Sequence, residues 1–185
     1  MGSSQSNMKL YKIKKLNFGF IILCSDRAVK LLQSTAYSIK NRYVGIPYIC
    51  ATDNGAKKCD IKEMQEICPT FKGKNTFSSL INVGFKNAVP DWNFVVFAGS
   101  TVRSKLDDKF SIFIDSNKDI LFPIAEQKYD FINGTLNGIL IHKETFKEVG
   151  NIEEDGNLDF VKTIWCCKAI EKGCRFKAVS NTKIC

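Results

Sequence analysis

Two kinds of segment alternate along this chain, and that alternation limits its fold more than any other feature. Short, nearly unbroken apolar runs begin at Phe18 (FGFIILC), Tyr48 (YICAT) and Asn93 (NFVVFA). Between them lie stretches whose apolar residues recur at helical spacing. In RAVKLLQSTAYSIKNR, for instance, Ala28, Leu31, Leu32, Ala36 and Ile39 fall on one side of a helix. Runs without polar alternation read as strands buried on both faces. Strand, helix, strand, helix, strand is the signature of an α/β protein, a three-layer sandwich with a mainly parallel sheet and helices on both faces.

The rest of the chain extends the pattern. CDIKEMQEIC reads as a short helix. TFSSLINVGFKNAVP reads as a helix with Leu80, Ile81 and Phe85 on one side, stopped by Pro90. DDKFSIFIDSNKDILFPIA alternates apolar and polar residues and predicts one or two strands. NGILIHKETFKEVG predicts a strand running into a short helix. NLDFVKTIWCCKAIEKG predicts a long helix with Gly173 as its C-cap, and RFKAV a last strand.

At 185 residues the chain is one domain long. Residues 17–185 are assigned to it, after a flexible or tag-like start over residues 1–16. The apolar runs are too short for a transmembrane segment. The first of them lacks a small-residue cleavage site, so no secretory signal is read and the expected compartment is the cytoplasm. A net charge of +8 suits an anionic ligand or surface. The lysines are dispersed, however, and no basic stripe carries interleaved aromatics, so nucleic acid is not the expected partner. The eight cysteines form no CxxC pair, and the single histidine, His142, leaves no Cys/His zinc pattern. Cys24 and Cys50 sit inside strand-like runs as small hydrophobes, and reduced thiols are expected. His142 reads as a surface or strand-end residue.

In α/β sheets ligands bind at the carboxyl ends of the strands. Here those ends are unlike one another. The first strand closes on Ser25-Asp26-Arg27 and the second on the turn-forming Asp53-Asn54-Gly55. The third closes on the uncharged Ala98-Gly99-Ser100-Thr101.

Four stretches, in this order, resemble the family 2 glycosyltransferases of the GT-A fold. CSDRAVKLLQSTAYSI resembles that family's first strand end and helix. YICATDNG resembles its second strand end. SSLINVGFKNAVPDWNFVVF resembles its Asn-x-Gly helix and metal-site strand, and NGTLNGILIHKETFKEVGNIEED its acceptor-side segment. The resemblance covers roughly residues 17 to 178 and implies a nucleotide diphospho-sugar donor, UDP-type foremost, and transfer with inversion to an acceptor it does not name. It places Asp53 at the base or ribose, where a carboxylate accepts from N–H or O–H groups. Asp26 and Arg27 fall beside the nucleotide, Asn82 and Gly84 on the donor-side helix, and Asn137 and Gly138 on the acceptor side. A turn role for Asp53 and a packing role for Asn82 and Gly84 compete with these assignments.

Two departures stand out. Gly99-Ser100-Thr101 occupies the place of the family's Asp-x-Asp, whose carboxylates hold the Mg²⁺ or Mn²⁺ that neutralises the leaving diphosphate. Those ligands are missing here, so no cofactor is certain. Arg103 and Lys105 follow directly, and with Arg27 they could supply positive charge instead. In an ungapped reading the general-base positions hold Val161, Lys162 and Ile164. Asp155 and Asp159 are then the candidate bases, with Glu153 and Glu154 nearby, although Asp155 or Asn157 could equally cap a helix. Three readings follow: a metal-independent glycosyltransferase, a pseudoenzyme that has kept the fold for binding or assembly with an unidentified protein partner, and, as an outsider, a nucleic-acid-binding domain.

Overall fold

The computed structural model describes residues 16–25, 28–53, 55–102, 110–123 and 137–179. The expected flexible start lies almost wholly outside these residues. Seven strands form one sheet: β1 (Phe18–Cys24), β2 (Tyr48–Asp53), β3 (Thr70–Gly73), β4 (Trp92–Phe97), β5 (Asp119–Pro123), β6 (Ile139–His142) and β7 (Arg175–Val179). Their order across the sheet is β3-β2-β1-β4-β6-β5-β7. β1 pairs in parallel with both β2 and β4, β2 with β3, and β5 with β7. β6 alone runs against its neighbours β4 and β5. The expected mainly parallel α/β sheet is therefore present.

The near-continuous apolar runs follow from this architecture. β1 lies between two strands and between two helical layers, and all seven of its residues are buried. Phe20, Ile22 and Cys24 face one layer with Cys50 of β2. That layer holds α1 (Val29–Arg42) and α2 (Lys58–Ile67), which contribute Leu32, Ile39, Ile61 and Met64. Ile21 and Leu23 face the other layer with Ile49, Ala51 and Val95. There they meet Leu80, Ile81 and Phe85 of α3 (Phe77–Asn87), Phe146 of α4 (Lys143–Val149), and Val161 and Trp165 of α5 (Leu158–Glu171). Gly84 sets how closely α3 sits: a Cβ there would lie 2.3 Å from Ile21 Cγ2. Gly173, with φ of 78°, follows the end of α5 as expected.

Three details differ from the sequence reading. β3 was not anticipated. Of the one or two strands expected within DDKFSIFIDSNKDILFPIA, the described residues hold one, β5; Phe110 and Ser111 are instead helical, and Ile112 and Phe113 form a turn. Phe110 is buried there while Ile112 and Phe113 face outward, so its apolar spacing mimics a strand without forming one. Leu31, expected on the packed face of α1, is half exposed.

Candidate functional site

β1, β2 and β4 share a carboxyl-terminal rim, and the sequence candidates fall on or near it. Asp53 ends β2 on the α3 face and is 1% exposed. Its Oδ1 accepts from the Gly55 backbone N–H at 2.6 Å, so this carboxylate does close a turn while standing at the rim. Directly before it, Thr52 Oγ1 is the buried side-chain polar atom left without a hydrogen-bond partner among the described residues. Asp26, Arg27, Asn54, Arg103 and Lys105 lie outside the described residues.

The end of β4 is closed by neutral groups. Gly99 adopts φ of 98°, a conformation that favours glycine. Its N–H donates to Thr35 Oγ1 at 2.9 Å, and the Thr35 hydroxyl donates to the Ser100 carbonyl at 2.9 Å. Ser100 is buried and its hydroxyl donates to Asn137 Oδ1 at 3.2 Å. The same Asn137 oxygen accepts from Phe97 N–H at 3.1 Å, and Gly138 N–H donates to the Val95 carbonyl. Val102 N–H donates to Ser38 Oγ at 3.1 Å, which ties the following residues back to α1. The structure thus joins Ser100, assigned to the donor side, with Asn137, assigned to the acceptor side.

Thr35 and Ser38 were not singled out from sequence. The available signal was a threonine between Leu32 and Ala36 on the inward side of α1, where a polar residue needs a partner.

The described residues of the corner do not fit a divalent cation. Gly99 has no side chain, the Ser100 hydroxyl is committed to Asn137, and among the described residues of the corner there is no carboxylate for a hard ion. Among the described residues no group of three His, Cys, Asp or Glu side chains could hold a metal.

The acidic loop between α4 and α5 is fastened to α3. Asn82, buried, donates to the Ile152 carbonyl at 2.8 Å and accepts from the Ile152 N–H at 2.9 Å. Glu154 pairs with Lys74 at 2.8 Å. That contact, with further hydrogen bonds from Ser79 and Asn82, holds the Glu154 carboxyl below its ordinary range. Asn82 is therefore engaged with the loop, and Gly84 with Ile21 of β1. Glu153 pairs with Lys168 at 2.9 Å, and Asp159 with the buried Lys162 at 3.3 Å. Asp155 is exposed, and neither a hydrogen bond nor an ion pair engages it among the described residues. The cap of α5 is Asn157, whose side chain accepts from Asp159 N–H. Val161 lies in the core.

His142 ends β6, buried against Trp92, and its Nδ1 caps α4 by accepting from Glu144 N–H at 3.3 Å. It is the strand-end histidine of the sequence reading, at the opposite rim from Asp53. Burial pushes its pKa below the ordinary value. A groove of about 590 Å³ runs between α3 and α4 and reaches Asn82 and Glu154 at one end. Its Lys143 pairs with Asp91 and its Lys147 with Glu144, so its charges are largely offset.

No protein-family model and no curated protein matches the chain. Solved structures do. Residues 1–349 of TarS from S. aureus, a GT-A glycosyltransferase, superpose with a TM-score of 0.63 at 10% identity, over 90% of this chain and 59% of that one. The fold is GT-A. A longer TarS structure matches with a TM-score of 0.62 at 11% identity, over 90% of this chain and 36% of that one. TarS 1–349 in complex with UDP-GlcNAc matches with a TM-score of 0.60 at 12% identity, over 90% and 57%. The chain thus spans between about a third and three fifths of the structures it resembles. Among the described residues no helix is long and apolar enough to cross a membrane.

Proposed function

We propose that this protein binds a nucleotide diphospho-sugar, UDP-type, at the carboxyl rim of β1, β2 and β4, and transfers a hexose from it without an Asp-x-Asp-bound metal. One observation carries the reading: a GT-A sheet with a buried carboxylate, Asp53, at the end of β2. A TarS structure of the same fold holds UDP-GlcNAc, which supports that donor class. Asp53 accepts from the base or ribose. Asp26 lies beside the nucleotide. Arg27, Arg103 and Lys105 offset the charge that develops on the leaving diphosphate, a task that fixed cations perform well in a water-poor site. Ser100 and Asn137 hold the backbone between donor and acceptor. Of the acidic loop, Asp155 is the carboxylate that no ion pair engages among the described residues, so it is the base of choice over Asp159. The unpaired thiols, Cys24, Cys50 and Cys68 among them, support a reducing, cytoplasm-like setting.

A second reading has its own observation. The corner at Gly99 and Ser100 is closed by hydrogen bonds, and three of the four nearby acidic side chains are held in ion pairs. That suits a pseudoenzyme which has kept the fold for binding or assembly.

Calorimetric titration of UDP and UDP-GlcNAc, in Mn²⁺ and in EDTA, separates the two readings. Binding that survives EDTA, weakens tenfold or more in Asp53→Ala, and is followed by sugar transfer supports the first. Binding without transfer or hydrolysis supports the second. No binding in either condition overturns the nucleotide site.

A further inference from the structure

Phe77 opens α3 at the same rim. Thr76 caps the helix through its side chain, which accepts from Ser79 N–H at 3.2 Å, and this fixes where the first residue stands. The Phe77 ring is 43% exposed, large for an apolar side chain at the first position of a helix that packs on the sheet. It rests against Phe97, the last residue of β4, with ring centroids 5.2 Å apart and planes tilted by 50°. Phe97 is itself only partly buried, and its backbone N–H is held by Asn137. The pair therefore offers an aromatic surface on a fixed backbone.

The register shows what lies beside it. Leu23 of β1 pairs with Phe97 on one side and with Ala51 on the other, and Asp53 is the next residue of β2 on the Ala51 face. Phe97 and Asp53 thus share a face of the sheet with one strand between them, a separation of roughly 12 Å from two strand spacings across and two residues along. An aromatic surface and a carboxylate at that separation suit a flat ring that has both a π face and N–H donors. A nucleobase has both. A hexose has hydroxyls for the carboxylate and packs on aromatic rings through its C–H face, so a sugar phosphate belongs among the probes.

We propose that Phe77 and Phe97 form the stacking platform for the base of the donor, with Asp53 at its polar edge. The inference rests on the nucleotide-sugar reading above and adds the residues that recognise the nucleoside half.

The test is titration of three probes, UDP, UMP and GlcNAc 1-phosphate, into native protein, Phe77→Ala and Phe77→Tyr. Phe77 is exposed, so neither variant should lose the fold, and a thermal melt checks this. Stacking predicts that Phe77→Ala weakens UMP and UDP by the same factor, tenfold or more, while Phe77→Tyr keeps native affinity. It also predicts a change in uracil absorbance on binding that Phe77→Ala removes, a signal that a purely structural role would leave in place. Unchanged UDP affinity in a folded Phe77→Ala overturns the platform and leaves the nucleotide site standing. Loss confined to GlcNAc 1-phosphate assigns the surface to the sugar and overturns the base. If native protein binds none of the three probes, the functional reading fails and takes the platform with it.

Discussion

The two rims of the sheet solve the same problem with different chemistry. At the amino-terminal rim, where β5 and β7 begin, Asp119 is fully buried and charged. It accepts from the Asp115 and Ser116 N–H groups at 2.7 and 2.9 Å, from Arg175 Nε at 2.8 Å, and lies 3.1 Å from Lys177 Nζ. At the carboxyl-terminal rim, the described residues of the corner after β4 meet through neutral groups: glycine N–H, threonine and serine hydroxyls, and one asparagine oxygen. The chain is not short of carboxylates, with 19 Asp and Glu. Among the described residues its best-buried acidic network holds strands together, while the corner after β4 is joined by uncharged groups.

If the amino rim is a structural clamp, Asp119→Ala should be among the most destabilising single changes there. It strands two backbone donors and removes one partner each from Arg175 and Lys177, which keep their contacts to Asp115, and the expected loss is about 3 kcal/mol, read from denaturant midpoints. Next in size, Asn82→Ala removes both bonds to Ile152. We expect a loss of about 2 kcal/mol and faster amide exchange through residues 151–155; slow exchange there would mean that the acidic loop does not depend on α3.

Asn137→Ala should cost less, about 1 kcal/mol, because the two donors it releases, the Phe97 N–H and the Ser100 hydroxyl, are neutral and Phe97 is only partly buried. The smallest effect has the opposite sign. Thr52→Val removes a buried hydroxyl that has no partner and should raise stability by up to about 1 kcal/mol. A loss instead would mean that this hydroxyl is engaged.

Acid sharpens the comparison further. Burial alone would raise the pKa of Asp119, but its hydrogen bonds from Ser116, Asp115, Lys177 and Arg175 outweigh that and hold it below the ordinary 3.8. Its stabilisation is therefore complete above that value and fades as pH falls through the lower, native one. His142 is also depressed, by burial, so stability falls as pH drops below its ordinary 6.5 and the unfolded chain takes up the proton first. Both groups belong to the amino rim, whereas the side chains of Ser100 and Asn137 at the other corner do not titrate. Asp119→Asn should flatten the acid limb of a stability-versus-pH curve, while Asn137→Ala should shift the whole curve without changing its shape.

Legibility in the sequence followed range of interaction. β1, β2 and β4 announce themselves because two covered faces demand apolar residues without interruption, and α3 because Leu80, Ile81 and Phe85 repeat at helical spacing. β3 is silent: TFKG is four residues with a lysine and a glycine, and it becomes a strand only because β2 offers it a partner. After Lys109, only one of the one or two expected strands is present among the described residues, because FSIFI has strand-like spacing while forming a helical pair and a turn. At the site, the rim positions of Asp53 and Gly99 were readable as strand ends. Their partners were not. Nothing local tells that Asn82 will bind Ile152 seventy positions on, or that Thr35 will take the Gly99 N–H, since each depends on which helix lands over which strand end.

The outermost strands carry a further implication. Among the described residues the open backbone edges of the sheet belong to β3 and β7, four and five residues long. One displays Lys72, the other the half-exposed Arg175. Short, positively charged borders discourage another chain from adding itself to the ladder. The sheet is thereby bounded on both sides, and at high concentration the molecule is guarded against the edge-to-edge growth to which a flat β-rich surface would be open.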